Sequence, residues 1–219
     1  MTRDSPAWQW QFGALARHAA LRKPTVPAVS LPPLVIKLGG SLLSQPGWPQ
    51  GIADLLQALA ARRAEPPALL VVGGGGVVEG LRQIDAASPQ PAALMHALAI
   101  DLMGITARVV SAATGLQLTA AWPDAGATGA RLLDVPQWLA KNQRLARLPV
   151  GWEVTSDSIA ASVAAAYGGE LLLVKSVPPP CEPDSPIQLE ALAAAGWVDT
   201  HFPSVAADLT AISWAARRA

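Results

Sequence analysis

The chain is poor in cysteine, in charge of either sign and in long apolar runs, and each shortage removes a class of function. Its one cysteine, Cys181, excludes an intrachain disulfide and a CxxC metal site, and it suits a reducing compartment. Charged residues make up 15% of the sequence, with 16 Lys plus Arg against 16 Asp plus Glu. That balance gives no electrostatic reason to expect nucleic acid or an anionic membrane as partner, so small ligands are the better expectation. No run of about 18 or more apolar residues occurs, because His96, Asp101, Glu170 and Lys175 interrupt the candidates, and no membrane-spanning helix is expected. The first thirty residues scatter Arg3, Asp4, Arg17, His18, Arg22 and Lys23 among alanines without an apolar h-region. A secretory signal is therefore not expected, and the cytoplasm is the default.

What is present is a chain of 219 residues, 51% hydrophobic, enough for one globular domain with a sizeable core. Residues 1–30 read as an N-terminal extension and 31–219 as the domain, with no internal repeat. Trp8, Trp10 and Phe12 in the extension suit packing onto the domain or a neighbouring subunit; the plainer reading is a loosely held alanine-rich tail with a short helix over 12–21. After Pro32 and Pro33, "LVIKL" predicts a strand and residues 52–63 a helix with Ile52, Leu55, Leu56 and Leu59 on one face. "ALLVV" at 68–72 predicts a second strand, followed by "GGGG" and renewed helical spacing in "VVEGLRQID". A long helix over 91–113 places Leu94, Leu98, Leu102 and Ile105 at core spacing. Short elements follow: strands in "LQLTAAW" and "RLPVGWEV", a strand and short helix in "RLLDVPQWLA", a capped helix in "TSDSIAASVAAAYGG", a strand in "ELLLVKSV" and two short helices around "GWVDTHFP". Buried strands alternating with amphipathic helices predict an α/β fold built on a parallel sheet covered on both faces.

Parallel sheets collect ligands at the carboxyl ends of their strands, where both glycine clusters sit. Residues without side chains let several backbone amides point at one anion, and a following helix adds its positive dipole end, which makes phosphate the natural occupant. Lys37, two residues before Gly39, is placed to neutralise charge developing on a transferred group. The plain alternative is a pair of tight strand-to-helix turns. Neither cluster has Walker lysine spacing, and "GGGGVVEG" is only a loose relative of GxGxxG. Asp157, among the hydroxyls of "VTSDS" at a helix start, reads either as an N-cap or as a carboxylate that orients lysines around a transferring phosphoryl group or holds a magnesium shell. His96 lies on a mostly apolar helix, with no second His or Cys at metal-ligand spacing, and is a candidate donor to a substrate phosphate or amine. Asp199 and His201 read as turn residues or ligand contacts. Ser41 and Ser44 lack a GxSxG context, which argues against hydrolase chemistry.

The combination of "VIKLGGSLL", "LLVVGGGG" and "TSDSIA" resembles the amino acid kinase superfamily, which includes carbamate, acetylglutamate, uridylate and isopentenyl phosphate kinases. The resemblance covers Leu34 to Pro203 and implies a three-layer α/β/α sandwich with a mainly parallel central sheet. ATP lies over the second half of that sheet and the acceptor near the first. "GGGGVVEGLRQID", "LMHALAIDLMG", "GWEVTSDSIA" and "WVDTHFP" are similar, in order, to segments of the kinases that phosphorylate [5-(aminomethyl)furan-3-yl]methyl phosphate in methanofuran biosynthesis. By resemblance, Lys37 and Asp157 are catalytic, and Gly39, Gly40 and Ser41 contact the nucleotide; Lys175 is read either as a replacement cationic contact to the nucleotide or as an ordinary strand-end lysine. Gly74, Gly75, Gly76, His96, Thr155 and Ser156 face the acceptor. ATP and Mg2+ are implied as cofactors and a homo-oligomer as the assembled form. The chain departs from the pattern at 174–186, where "VKSVPPPCEPDSP" stands in place of a "TDVDGVY"-like segment. The reading opposed to a kinase is a metabolite-binding or scaffolding relative with a degenerate nucleotide site.

Overall fold

A computed structural model describes residues 7–17, 32–62, 67–123, 128–142, 148–180, 188–209 and 211–218. Cys181 and residues 182–186 of the proline-rich departure lie outside these residues. Among them the strands form one sheet in the order β1 (Trp10–Arg17), β7 (Ala211–Arg217), β6 (Glu170–Lys175), β2 (Leu34–Leu38), β3 (Ala68–Val72), β5 (Ala130–Leu133) and β4 (Leu118–Thr119). All neighbouring pairs are parallel except β1 with β7. Strands β2, β3 and the middle of β6 are buried on both faces, as the continuous runs LVIKL, ALLVV and LLLV require.

Side-chain alternation splits the core in two. Val35, Leu69, Val71, Leu171 and Leu173 face α5 (Ser156–Ala166), α6 (Leu189–Ala194) and α7 (Phe202–Ala206). Ile36, Leu38, Leu70, Val72, Leu172 and Val174 face α1 (Trp48–Ala60). Helices therefore cover both faces of a mostly parallel sheet, the expected α/β/α arrangement. Helix α2 (Gly75–Ala87) follows β3 directly, α3 (Ala92–Thr114) packs against α1, α2 and α4 (Val135–Asn142), and a 3-10 turn at Gly40–Ser44 follows β2.

Four expectations change. The described part of the extension is strand β1, not a helix, and it pairs antiparallel with β7. The segment Ala211–Arg217 is itself a strand, which the two-helix reading of the chain's last part omitted. Residues 148–154 form turns, not a strand. On α3 the leucine stripe points outward: Leu94, Leu98 and Ile105 are exposed, while Met95, Met103, Gly104, Ala107 and Val110 are buried. The cause is steric. A Cβ on Gly104 would approach Pro136 Cγ to 2.9 Å, so the narrow side of an all-round apolar helix faces the crowded neighbour. Helix α3 is long and apolar enough, by length and composition, to cross a membrane, with a third of that window buried in the fold.

Trp8 and Trp10 do pack onto the domain. Both are buried, Trp8 N donates to Asp54 Oδ2 at 2.8 Å, and Trp10 Nε1 donates to the Gly51 carbonyl at 3.1 Å. A Cβ on Gly51 would lie 2.4 Å from the Trp8 ring. Glycine to alanine within a helix ordinarily stabilises by about 1 kcal/mol. Here Gly51→Ala is expected to destabilise by about 1–3 kcal/mol through overpacking. Urea denaturation measures it, and a stabilised variant would mean that β1 does not press on α1.

Candidate active site

The six parallel strands share one carboxyl edge, and the bends after β2 and β3 meet there. Gly73 N donates to Leu38 O at 2.9 Å, and Gly39 N donates to Val174 O at 2.8 Å, binding both bends to the neighbouring strand ends. The approach is backbone to backbone: a Cβ on Gly40 would lie 2.1 Å from Gly75 N, and one on Gly75 2.5 Å from Gly40 O. Gly75 also has φ +55°, a conformation that disfavours side chains. The two glycine clusters are therefore one structure.

Lysine and carboxylate meet beneath it by strand parity. Lys37 shares the face of Val35, and Lys175 the face of Leu171 and Leu173, so both ammoniums point toward α5. Asp157, in the first turn of α5, lies between them: Oδ1 is 2.9 Å from Lys37 Nζ and Oδ2 is 2.8 Å from Lys175 Nζ. Asp157 and Lys37 are buried to 4% and 5% exposure. The Lys37–Asp157 Oδ1 contact is an ion pair between two buried groups. Lys175 is more committed, donating to Asp157 Oδ2 and the Trp197 carbonyl and lying 4.7 Å above the Trp197 ring.

Asp199 holds this helix start in place. Its carboxylate accepts from Thr155 N and Oγ1, from Ser158 N and Oγ, and from the backbone N–H groups of His201 and Phe202, at 2.5–3.1 Å. The turn reading of Asp199 thus holds, with a larger consequence: the turn before α7 clamps the turn that presents Asp157. Thr155 is the N-cap, accepting from Asp157 N at 3.3 Å.

Beside the bends lies a cavity of about 220 Å³, lined by Gly74, Gly75, Thr155, Ser156 and His96 and by Glu79, Arg82, Met103, Trp152 and Ile159 among others. His96 Nδ1 lies 3.3 Å from the Gly151 carbonyl oxygen. Gly76 is exposed, with open space where a Cβ would go, and does not line this cavity. Ser41 Oγ lies 3.2 Å from Ser176 Oγ, across from a wider groove of about 780 Å³ lined by Gln11, Leu42, Gln45, Ser176, Val177, Pro178, Arg217 and Arg218. Of the remaining tryptophans, Trp138 is core and Trp152 lines the cavity; Trp138 Nε1 and Trp122 N both donate to Tyr167 Oη. Sequence reasoning passed over Arg82 and Glu79, whose only signal was their place on the helix after the second glycine cluster.

Burial raises the Asp157 carboxyl, but the Lys37 and Lys175 ammoniums more than offset it and hold its pKa below the ordinary aspartate value. Burial and the Lys37 charge depress Lys175 to about 8, against partial compensation from Asp157. The folded chain therefore releases this proton near pH 8, whereas the unfolded chain keeps it up to the ordinary lysine range. Between those values the unfolded state binds more protons, so stability rises with pH. Lys175→Met is expected to remove that rise; denaturant titrations of both proteins from pH 7.5 to 10, within about that window, measure it. Identical slopes would contradict the depressed value.

Residues 32–134 match the model of the amino acid kinase family. No curated protein matches the chain by sequence. Among solved structures, the UMP kinase from Ureaplasma parvum superposes with a TM-score of 0.54 at 14% identity, covering 83% of this chain and 87% of that one. The uridylate kinase from Archaeoglobus fulgidus superposes with a TM-score of 0.52 at 14% identity, covering 83% of this chain and 99% of that one. The family match thus covers residues 32–134, and the fold is shared with these two kinases.

Proposed function

We propose that the chain is a Mg2+- and ATP-dependent phosphotransferase acting on a small phosphorylated acceptor, with [5-(aminomethyl)furan-3-yl]methyl phosphate as the specific candidate. The observation that carries this reading is the buried Lys37–Asp157–Lys175 cluster beneath two glycine bends that touch. An acceptor phosphate oxygen attacks the γ-phosphorus of ATP, the bond to the β-phosphate's bridging oxygen breaks, and ADP leaves with that electron pair. Lys37 neutralises the charge spread over the transferring group. Asp157 holds the Lys37 ammonium beside the bare backbone of Gly39, on the side where that group would lie. Asp157 keeps the two ammoniums from repelling one another, and Lys175 fixes Asp157 in turn.

Donor and acceptor take opposite sides of the bends. A Cβ on Gly39 would lie 3.8 Å from Lys37 Nζ, so the bare backbone there leaves room for a donor phosphate against the ammonium. The groove beyond it offers the Ser176 hydroxyl, Gln45 and two arginines. The fit with a metal is of a different kind: among the described residues no group of three or more His, Cys, Asp or Glu converges, which suits Mg2+ that arrives on the donor phosphates and keeps its waters. The acceptor cavity, at about 220 Å³, falls below the roughly 300–1,000 Å³ of sites for drug-sized ligands, which favours an acceptor smaller than a nucleotide. With Mg-ATP and the aminomethylfuran phosphate, turnover is expected in a coupled assay, and Lys37→Ala is expected to lower kcat by about 10²–10³. ATP binding without turnover of any small acceptor would favour the non-catalytic reading.

The homo-oligomer belongs to the same proposal. Leu94, Leu98, Ile105 and Val109 expose one apolar stripe on α3, with exposed Asp101 and Arg108 on the same stripe two turns apart. That spacing of about 10 Å is too long for a pair within the helix. In an antiparallel crossing of two copies, Asp101 meets the partner's Arg108, and the reciprocal pair forms at the same time. Light scattering is expected to show a dimer that Asp101→Arg dissociates and that Asp101→Arg with Arg108→Asp restores; a monomeric wild type would end this part of the proposal.

A further inference from the structure

One wall of the 220 Å³ cavity is a single face of α2, carrying Gly75, Val78, Glu79 and Arg82 at helical spacing. The Arg82 guanidinium lies 5.0 Å from the centroid of the Trp152 ring, and its Nε is buried without a hydrogen-bond partner. The nearby carboxylate on the helix is already engaged: Asp85 Oδ2 accepts from Trp152 Nε1 at 2.7 Å, and Oδ1 from Gln90 N at 2.9 Å. Glu79 shares the wall but forms no ion pair with Arg82 among the described residues. A guanidinium partly stripped of water, lying over an indole and forming no ion pair among the described residues, therefore faces a cavity whose other end is a helix N-terminus.

Helical side chains lean toward the helix N-terminus, so Arg82 reaches back along the wall toward Gly75. The start of the helix at Gly75 and the planar fork of Arg82 thus border the same cavity. A carboxylate has two oxygens and one charge to divide between these two sets of donors. A phosphate monoester, with three terminal oxygens and up to two charges, satisfies both. We infer that Arg82 is the anion-reading residue of this cavity and selects a small phosphate monoester over a carboxylate. Trp152 and Asp85 are its positioning residues: the indole supports the guanidinium, and Asp85 fixes the indole.

The inference rests on the phosphotransferase reading only in calling this anion the acceptor, and its test needs no transfer. Benzyl phosphate and phenylacetate, a dianion and a monoanion on similar rings, are titrated calorimetrically into the full chain without nucleotide. Benzyl phosphate is expected to bind at least about tenfold more tightly. Arg82→Gln should abolish that preference, and Arg82→Lys, which keeps charge but loses the fork, should restore part of it. Circular dichroism melts of both variants confirm that they fold; should Arg82→Gln not fold, Asp85→Ala, which removes the indole's acceptor, is expected to narrow the preference instead. Equal affinities for the two probes, or an unchanged preference in a folded Arg82→Gln, overturns the inference. Benzyl phosphate binding that depends on Arg82, in a chain that turns over no phosphorylated acceptor, keeps this site and overturns the phosphotransferase reading alone.

Discussion

A single carboxylate shared by two buried ammoniums governs the arrangement of this molecule. Burying three charges is costly unless each finds a partner, and Asp157 has one oxygen for each lysine. The set still carries one positive charge in excess while Lys175 is protonated. That excess sits where the bends after β2 and β3 come together, so the site is electrostatically incomplete without an anion. The geometry follows from strand parity and from the first turn of α5, and Asp199 fixes that turn by accepting from six donors. Removing Asp199 would leave buried amides and hydroxyls unpaired far from any ligand, yet it would be felt at Lys37.

The glycines need two explanations, and these do not compete. Gly40 and Gly75 are required by each other, since a side chain on either would strike the opposite backbone. Gly39 is constrained by the Val174 carbonyl on one side and borders the Lys37 ammonium on the other. Crowding at 40 and 75 thus brings the bends together, and the bare backbone at 39 borders the cation. A tight-turn reading and an anion-site reading of the same sequence describe two consequences of one close approach.

Much of the central architecture was legible because it is local. Five-residue apolar runs gave β2 and β3, and hydroxyls before an alanine-rich run gave the capped start of α5. Strands β1 and β7 were not legible, because WQFGALAR and AISWAAR gain their strand character from pairing with each other across nearly the whole sequence. The face of α3 was misread for a related reason: with apolar residues all round, only the proximity of Pro136 decides that small residues turn inward. Lys37 and Asp157 were legible from their places at a strand end and a helix start, and the resemblance gave them their catalytic roles. Arg82 was not, because its significance lies in what surrounds it, namely an indole, a carboxylate already in use and a cavity, and none of these can be read from spacing along the chain.

The segment that precedes the family match is built into a wall of the wide groove. Strand β1 covers the edge of β7, and Arg218 N donates to Gln9 O at 2.8 Å just beyond that pairing. The Arg217 guanidinium lies 4.7 Å above the Trp8 ring, and Trp8 is anchored on α1 through Asp54. The wide groove next to Ser41 and Ser176 therefore takes Gln11 from one of these strands and Arg217 from the other. An edge strand left uncovered would expose a row of unpaired amides and carbonyls and let this wall move. By pairing there, β1 takes the place of β7 as the sheet's edge and sets the position of the arginines, so the extension and the sheet's carboxyl edge form one surface.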